Sequence, residues 1–172
     1  MGLLFQPRWS ADRPRQIAAP PGGGVPVDRC VLFVAALEAL VLGDASRFAE
    51  LFTEDVVLSS PHVVVESLAS VQHAFGSPED SLSDIEIVVL ALDAVEDKVI
   101  AEWRLEAMFT RPVLFNDWLL IEPTGDEVRL PGASIAEFRA HQIRAFRHYF
   151  DDSELLTGVP GIPSHLRLTF DG

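Results

Sequence analysis

The sequence predicts an α+β fold in which helices pack on one face of an antiparallel sheet. Three observations carry this. Helix caps and apolar runs of helical length fall before residue 76. Segments rich in Val, Ile and Leu, separated by turn residues, fill the chain after residue 82. The chain has 172 residues, 48% hydrophobic and 23% charged, which is the size and balance of one ordinary domain.

Residues 1–27 stand apart. They are net basic, and 18–26 form a Pro/Gly-rich linker through Pro20, Pro21, Gly22, Gly23 and Gly24. Two readings of this arm stay open: a loose segment, or one whose Phe5, Pro7 and Trp9 dock on the body or on a second subunit. Asp28 is a helix N-cap, and the apolar run 30–42 reads as a helix buried on most sides, stopped by Gly43. Asp44 caps a shorter helix through Phe48, Leu51 and Phe52. A short strand follows over 56–59, ended by Pro61, and then a helix over 66–75 ended by Gly76. Strands are expected over 82–92 and 95–109, with a turn near Asp93. The segment 111–121 is apolar, and Pro123-Thr124-Gly125-Asp126 is a turn. Strands 127–138 and 142–150 follow, with His141 between them and one helical turn from Asp151. The domain proper is 28–160, and 161–172 is a tail.

Composition narrows the function. Twenty-six acidic residues against 13 basic ones give a net charge of −13. Nucleic-acid binding needs clustered Lys and Arg on phosphates, so a general nucleic-acid partner is excluded. The same charge opposes docking on anionic lipid, and no run reaches the ~20 apolar residues of a membrane span. The single Cys30 cannot form an internal disulfide, which fits a reducing, cytoplasmic location; it reads as inert packing. The five histidines lack His-x-His or His-x₃-His spacing, so no metal is expected. Gly22-Gly23-Gly24 lacks the following Lys of a phosphate loop, Ser59 and Ser60 lack nucleophile-elbow glycines, and no cofactor is expected.

Strand alternation selects the residues that can carry chemistry. Arg104, Glu106 and Met108 share one face of their strand. Phe146, His148 and Phe150 share one face of theirs, which places an imidazole between two phenylalanines. Each set also has a plainer reading: Arg104–Glu106 as an ion pair on a solvated face, and His148 as a satisfied core residue.

The order of elements and several motifs resemble the SnoaL-like branch of the nuclear transport factor 2-like superfamily, with its polyketide cyclases, ketosteroid isomerases and limonene-1,2-epoxide hydrolases. The matching pieces are Leu51-Phe52-Thr53-Glu54-Asp55-Val56, Glu102-Trp103-Arg104-Leu105-Glu106, the Pro123-Thr124-Gly125 turn, and Glu137-Phe138 leading to Phe146-Arg147-His148-Tyr149-Phe150-Asp151. Gln6-Pro7-Arg8-Trp9 is similar to the hydrolases' N-terminal arm. The resemblance covers about residues 28–160. It implies a cone: a strongly curved antiparallel sheet wrapped by N-terminal helices, a deep apolar cavity, and often a homodimer packed through the sheet.

Carried onto this chain, the hydrolases' arginine falls on Arg104 and one of their two aspartates on Glu106. The other aspartate, which the cyclases share, falls on His148. The water-holding Tyr and Asn fall on Leu58 and Ser60. The water clamp is thus largely lost and one acid is an imidazole, which favours isomerisation or cyclisation over hydrolysis. The segment 111–121 is an insertion relative to the hydrolases, readable either as a lid or as part of a dimer interface. The resemblance therefore implies a small-molecule enzyme using acid–base catalysis on a hydrophobic polyketide-, terpenoid- or steroid-like substrate. Arg104, Glu106 and His148 would be catalytic, and Leu58, Ser60, Met108, Phe146 and Phe150 would line the cavity. The competing reading is a non-catalytic ligand-binding or dimerisation module on the same fold.

Overall fold

The chain, described in a computed structural model, is defined for residues 28–77, 81–115 and 119–151, with backbone alone for 113–115 and 119. Helix α1 (Arg29–Leu42) starts at Asp28, whose carboxylate accepts a 3.0 Å hydrogen bond from the Cys30 amide. It ends at Gly43, whose φ of 66° a side chain would strain, and the Asp44 amide closes the turn on the Ala39 carbonyl. α1 buries Phe33, Ala36, Leu37, Ala39 and Leu40. Only Val31 and Leu42, near its two ends, are exposed, and the rest of the helix is buried or half-buried, so it is covered on most sides as expected. Cys30 is half-buried, and burial pushes its thiol pKa up, as an inert packing role requires. A 3₁₀ turn (Ala45–Arg47) leads into the short α2 (Phe48–Leu51).

Strand β1 (Phe52–Ser59) starts four residues earlier than the sequence predicts, because Phe52 already pairs with Ile143 of the last strand. Tertiary pairing here overrides the turn character of Thr53-Glu54-Asp55. β2 (Val64–Val65) folds back on β1, with Leu58 opposite Val65. Helix α3 (Leu68–Phe75) is capped by Ser67, whose hydroxyl accepts from the Ser70 amide at 3.1 Å. Strands β3 (Leu82–Val95) and β4 (Lys98–Phe109) form a long hairpin. Its turn lies at Glu96-Asp97, not near Asp93, and Glu96 takes a positive φ of 56° to close it. β5 (Val113–Phe115) and β6 (Leu119–Ile121) pair as a separate small ribbon, and Ile121 is fully buried. β7 (Glu127–Arg139) and β8 (Gln142–Phe150) complete the set, joined by a tight turn at Ala140-His141.

The main sheet has the order β2-β1-β8-β7-β4-β3. It is curved and does not close. Bulges in β3, in the β7–β8 pairing and between Phe52 and Val57 of β1 bend it. One pair, β1 with β8, is parallel, so the sheet is not wholly antiparallel as expected. The helical excursion through α3, the long β3–β4 hairpin and β7 returns the chain beside β1 in the same direction. The helices cover one face. There Phe33 of α1 stacks on Phe146 of β8 at 5.5 Å, and Phe52 meets Phe146 edge-on. β4 shows the two faces most clearly. Val99, Ala101, Trp103, Leu105, Ala107 and Phe109 are buried on the inner face, while Arg104, Glu106 and Met108 point the other way.

Among the described residues no helix is long and apolar enough to cross a membrane. The N-terminal arm, the helical turn expected after Asp151 and the tail lie outside the described residues.

Candidate functional site

The site is built from β4, β7 and β8, which lie side by side. Gly132 of β7 stands opposite Trp103 of β4. A Cβ at Gly132 would sit 2.2 Å from the indole ring, so glycine is what lets the ring lie flat across β7. That position brings the indole Nε1–H 2.9 Å from the hydroxyl of Ser134, two residues along β7. Ser134 is fully buried and stands opposite His148 of β8. Its Oγ lies 2.6 Å from His148 Nδ1. The Trp103 ring then stacks on the imidazole at 4.9 Å, with 21° between the planes. Phe146 and Phe150 flank the imidazole at 5.6 and 5.5 Å.

His148 is therefore enclosed by three aromatic rings and one hydroxyl. Burial pushes its pKa down from 6.5 to about 4, because an imidazolium there loses its water. The group is neutral at pH 7. No carboxylate among the described residues faces it. It is the only titratable side chain that β4, β7 and β8 place on the inner face among the described residues. Exposure grows along β8: Phe146 is sealed, whereas His148 and Phe150 keep part of their surface accessible. The exposed His62 approaches Phe150 edge-on at 5.7 Å. The arrangement offers an apolar wall with one polar group set into it, the pattern of a site for a neutral hydrophobic ligand.

Of the residues picked out from sequence, Phe146, His148 and Phe150 come together as expected. Arg104, Glu106 and Met108 do not join them, and the expected convergence of Arg104, Glu106 and His148 in one cavity does not form. Trp103 and Arg104 are neighbours on one strand, so their side chains take opposite faces. Arg104 instead binds Glu106 on the outer face, its Nε 2.7 Å from Glu106 Oε1. Glu106 stands there opposite Arg129 of β7 and Glu86 of β3. Leu58 is buried and stands beside Phe146 in the β1–β8 register, on the same inner face. Ser60 is taken up by its own turn, accepting from the Val63 amide at 3.2 Å. Ser134 and Gly132 were missed; the sequence signal for them was a small residue at every second position of 132–136, on the face shared with Trp103.

The outer face carries a groove of about 390 Å³ lined mainly by charged side chains. Arg144 and Arg147 each bind Glu137, at 2.9 and 2.8 Å, and Lys98 lies 3.6 Å from it. The Arg147 hydrogen bond, with the positive charge of Arg147, Lys98 and Arg144, holds the Glu137 carboxyl below the usual carboxylate range despite its burial. Arg139 Nη2 donates to both carboxylate oxygens of Asp55, at 2.9 and 2.7 Å. Each arginine of the groove already has a carboxylate, so the groove reads as a paired structural network. Among the described residues no group of His, Cys, Asp and Glu is placed to hold a metal ion.

The profile of a SnoaL-like domain matches residues 33–146. No curated protein matches the chain. Solved structures share its fold. One, provisionally assigned as a SnoaL-like polyketide cyclase from Jannaschia sp. CCS1, is 17% identical with a TM-score of 0.61, covering 82% of this chain and 100% of its own. An LEH-like epoxide hydrolase from M. tuberculosis is 14% identical with a TM-score of 0.55, covering 74% and 86%. A protein from Catenulispora acidiphila with a ketosteroid isomerase-like fold is 12% identical with a TM-score of 0.57, covering 73% and 88%.

Proposed function

The chain belongs to the SnoaL-like domain family, and on that premise we propose that it is a small-molecule enzyme of the isomerase or cyclase kind. Its substrate is a hydrophobic carbonyl compound of polyketide, terpenoid or steroid character, and His148 is the group that meets the reacting oxygen. The observation that carries this reading is a neutral imidazole set among Trp103, Phe146 and Phe150, with one nitrogen held by Ser134. In so dry a setting a hydrogen bond to a developing oxyanion is worth more than in water. Arg104 and Glu106 take no part, since they lie across the sheet. Epoxide opening fits less well, because no paired carboxylates face His148 among the described residues.

That same separation supports a second reading, a ligand-binding module without turnover. The two are told apart by offering the protein a panel of aromatic and alicyclic ketones, enones and epoxides. Tryptophan fluorescence follows binding beside Trp103, and mass spectrometry follows product. Turnover that depends on His148 supports the enzyme; saturable binding without product supports the module. No binding by any member refutes both.

We also propose a homodimer formed through the outer face of the sheet. Val57, Ile100 and Tyr149 are exposed there at 43%, 43% and 53%, around the paired charges of Glu137. Such a strip favours contact with a second copy. Sedimentation at ~10 µM showing a monomer would contradict it, since obligate interfaces of ~2,000 Å² or more survive that dilution.

A further inference from the structure

We infer that Ser134, itself oriented by Trp103, fixes the proton of His148 on Nε2, so that the site presents a hydrogen-bond donor and selects ligands with a neutral acceptor oxygen. This rests on the reading that His148 is the working group, and it goes further by stating which form of the imidazole works.

The assignment comes from counting donors and acceptors. An indole Nε1–H only donates, so in the 2.9 Å contact Ser134 Oγ accepts. A hydroxyl has one hydrogen to give. If it gives that hydrogen to His148 Nδ1, across 2.6 Å, the indole N–H, the hydroxyl and Nδ1 are all satisfied. Nδ1 is then the acceptor, and the proton sits on Nε2. In the alternative, Nδ1–H donates to Oγ, and the serine hydrogen needs another acceptor. Ser134 is 0% exposed and makes no other hydrogen bond among the described residues. An orphaned buried hydroxyl disfavours that arrangement by roughly 10- to 100-fold. Burial keeps the imidazole neutral, so the choice between tautomers is a real one at pH 7.

The consequence is chemical. An imidazole with Nδ1 engaged and Nε2 protonated gives a hydrogen bond but offers no free lone pair. It polarises a carbonyl or supports an enolate oxygen. It does not abstract a proton unless the Ser134 bond is first broken. Ser134 is thus a positioning residue, acting through His148.

The test needs no substrate. Long-range ¹H–¹⁵N correlation on the ¹⁵N-labelled protein at pH 7 shows which ring nitrogen carries the proton. The His148 signals are identified by their loss in His148→Phe. The expected result is a protonated Nε2 and a bare Nδ1. Ser134→Ala removes the donor, and the tautomer ratio should shift toward Nδ1–H by roughly tenfold or more. Ser134→Thr keeps a hydroxyl and should keep the wild-type ratio. A wild-type protein protonated on Nδ1 overturns the inference, whether or not any variant folds; so does an unchanged ratio in folded Ser134→Ala. The ligand class is tested by adding 2-acetylnaphthalene or naphthalene. The ketone should move the Nε2 proton signal and the hydrocarbon should not; equal shifts, or none from the ketone, overturn that part. If the tautomer is as expected but no carbonyl compound is turned over, the proposed enzyme fails while the inference about Ser134 stands.

Discussion

Replacing His148 by Phe keeps a flat ring in the aromatic stack and removes the titrating group. Its effect should appear in how stability depends on pH. In the unfolded chain His148 binds a proton near 6.5; in the folded chain it does so only near 4. Between those values the unfolded state holds more protons, so acid favours unfolding. The stabilising contribution is complete above about pH 6.5 and is lost as pH falls toward 4. A shift from 6.5 to about 4 corresponds to about 3 kcal/mol in full. By pH 5 about 2 kcal/mol of it should be gone. Carboxylates also titrate as pH falls, so the informative quantity is a double difference. Urea unfolding of wild type and His148→Phe is measured at pH 7 and pH 5. The wild type should lose about 2 kcal/mol more than the variant over that interval. His148→Phe also leaves the Ser134 hydroxyl without its acceptor, but that cost does not vary with pH and cancels. Equal losses in the two proteins would mean that His148 is solvated and keeps an ordinary pKa, and the reasoning from burial would fall.

Three other outcomes follow from the packing. Gly132→Ala forces a methyl group into the Trp103 ring, and should cost about 1–3 kcal/mol with a visible change in near-ultraviolet circular dichroism; an unchanged spectrum would show that Trp103 does not need that space. Glu137→Gln leaves Lys98, Arg144 and Arg147 around an uncharged group. It should cost about 1–2 kcal/mol at pH 7 in denaturant unfolding, screening by water included. Because the Glu137 carboxyl titrates below its ordinary value when folded, this stability is present above about pH 4.5 and fades as pH falls through the folded pKa. Arg104→Ala breaks a pair whose arginine is 37% exposed, and should change stability by no more than about 1 kcal/mol.

Much of the architecture was legible in the chain. Asp28 and Gly43 mark helix ends because capping and left-handed backbone demand particular residue types, and Gly76 ends its helix where a Cβ would meet the Gln72 carbonyl. β3, β4, β7 and β8 stand out because apolar β-branched runs of that length, cut by turns, have few other uses. The parallel β1–β8 pair was not legible, since it depends on a contact between residues about 90 apart. The site was half legible. His148 between two phenylalanines stood out by alternation alone. Arg104 and Glu106 share a face by alternation and match the hydrolases' motif, but Val99, Ala101, Trp103, Leu105, Ala107 and Phe109 mark the other face as the buried one. Ser134 carries no local signal as a partner for His148. Its role arises from the register of β7 against β4 and β8, and from the space that Gly132 leaves for an indole ring.

The measurement that bears most directly on where the chemistry sits is a comparison of three variants on one substrate. Whichever carbonyl compound of the panel is turned over, kcat/KM is measured for His148→Ala, Arg104→Ala and Glu106→Gln, with folding checked by circular dichroism. His148→Ala should lower it by roughly 10²–10⁴-fold, the range for a positioned proton-transfer group or oxyanion donor. Arg104→Ala and Glu106→Gln should stay within about threefold of wild type, because their side chains lie on the far side of β4. A large loss in either of those two, with His148→Ala left near wild type, would place the reaction on the outer face and contradict the site described above.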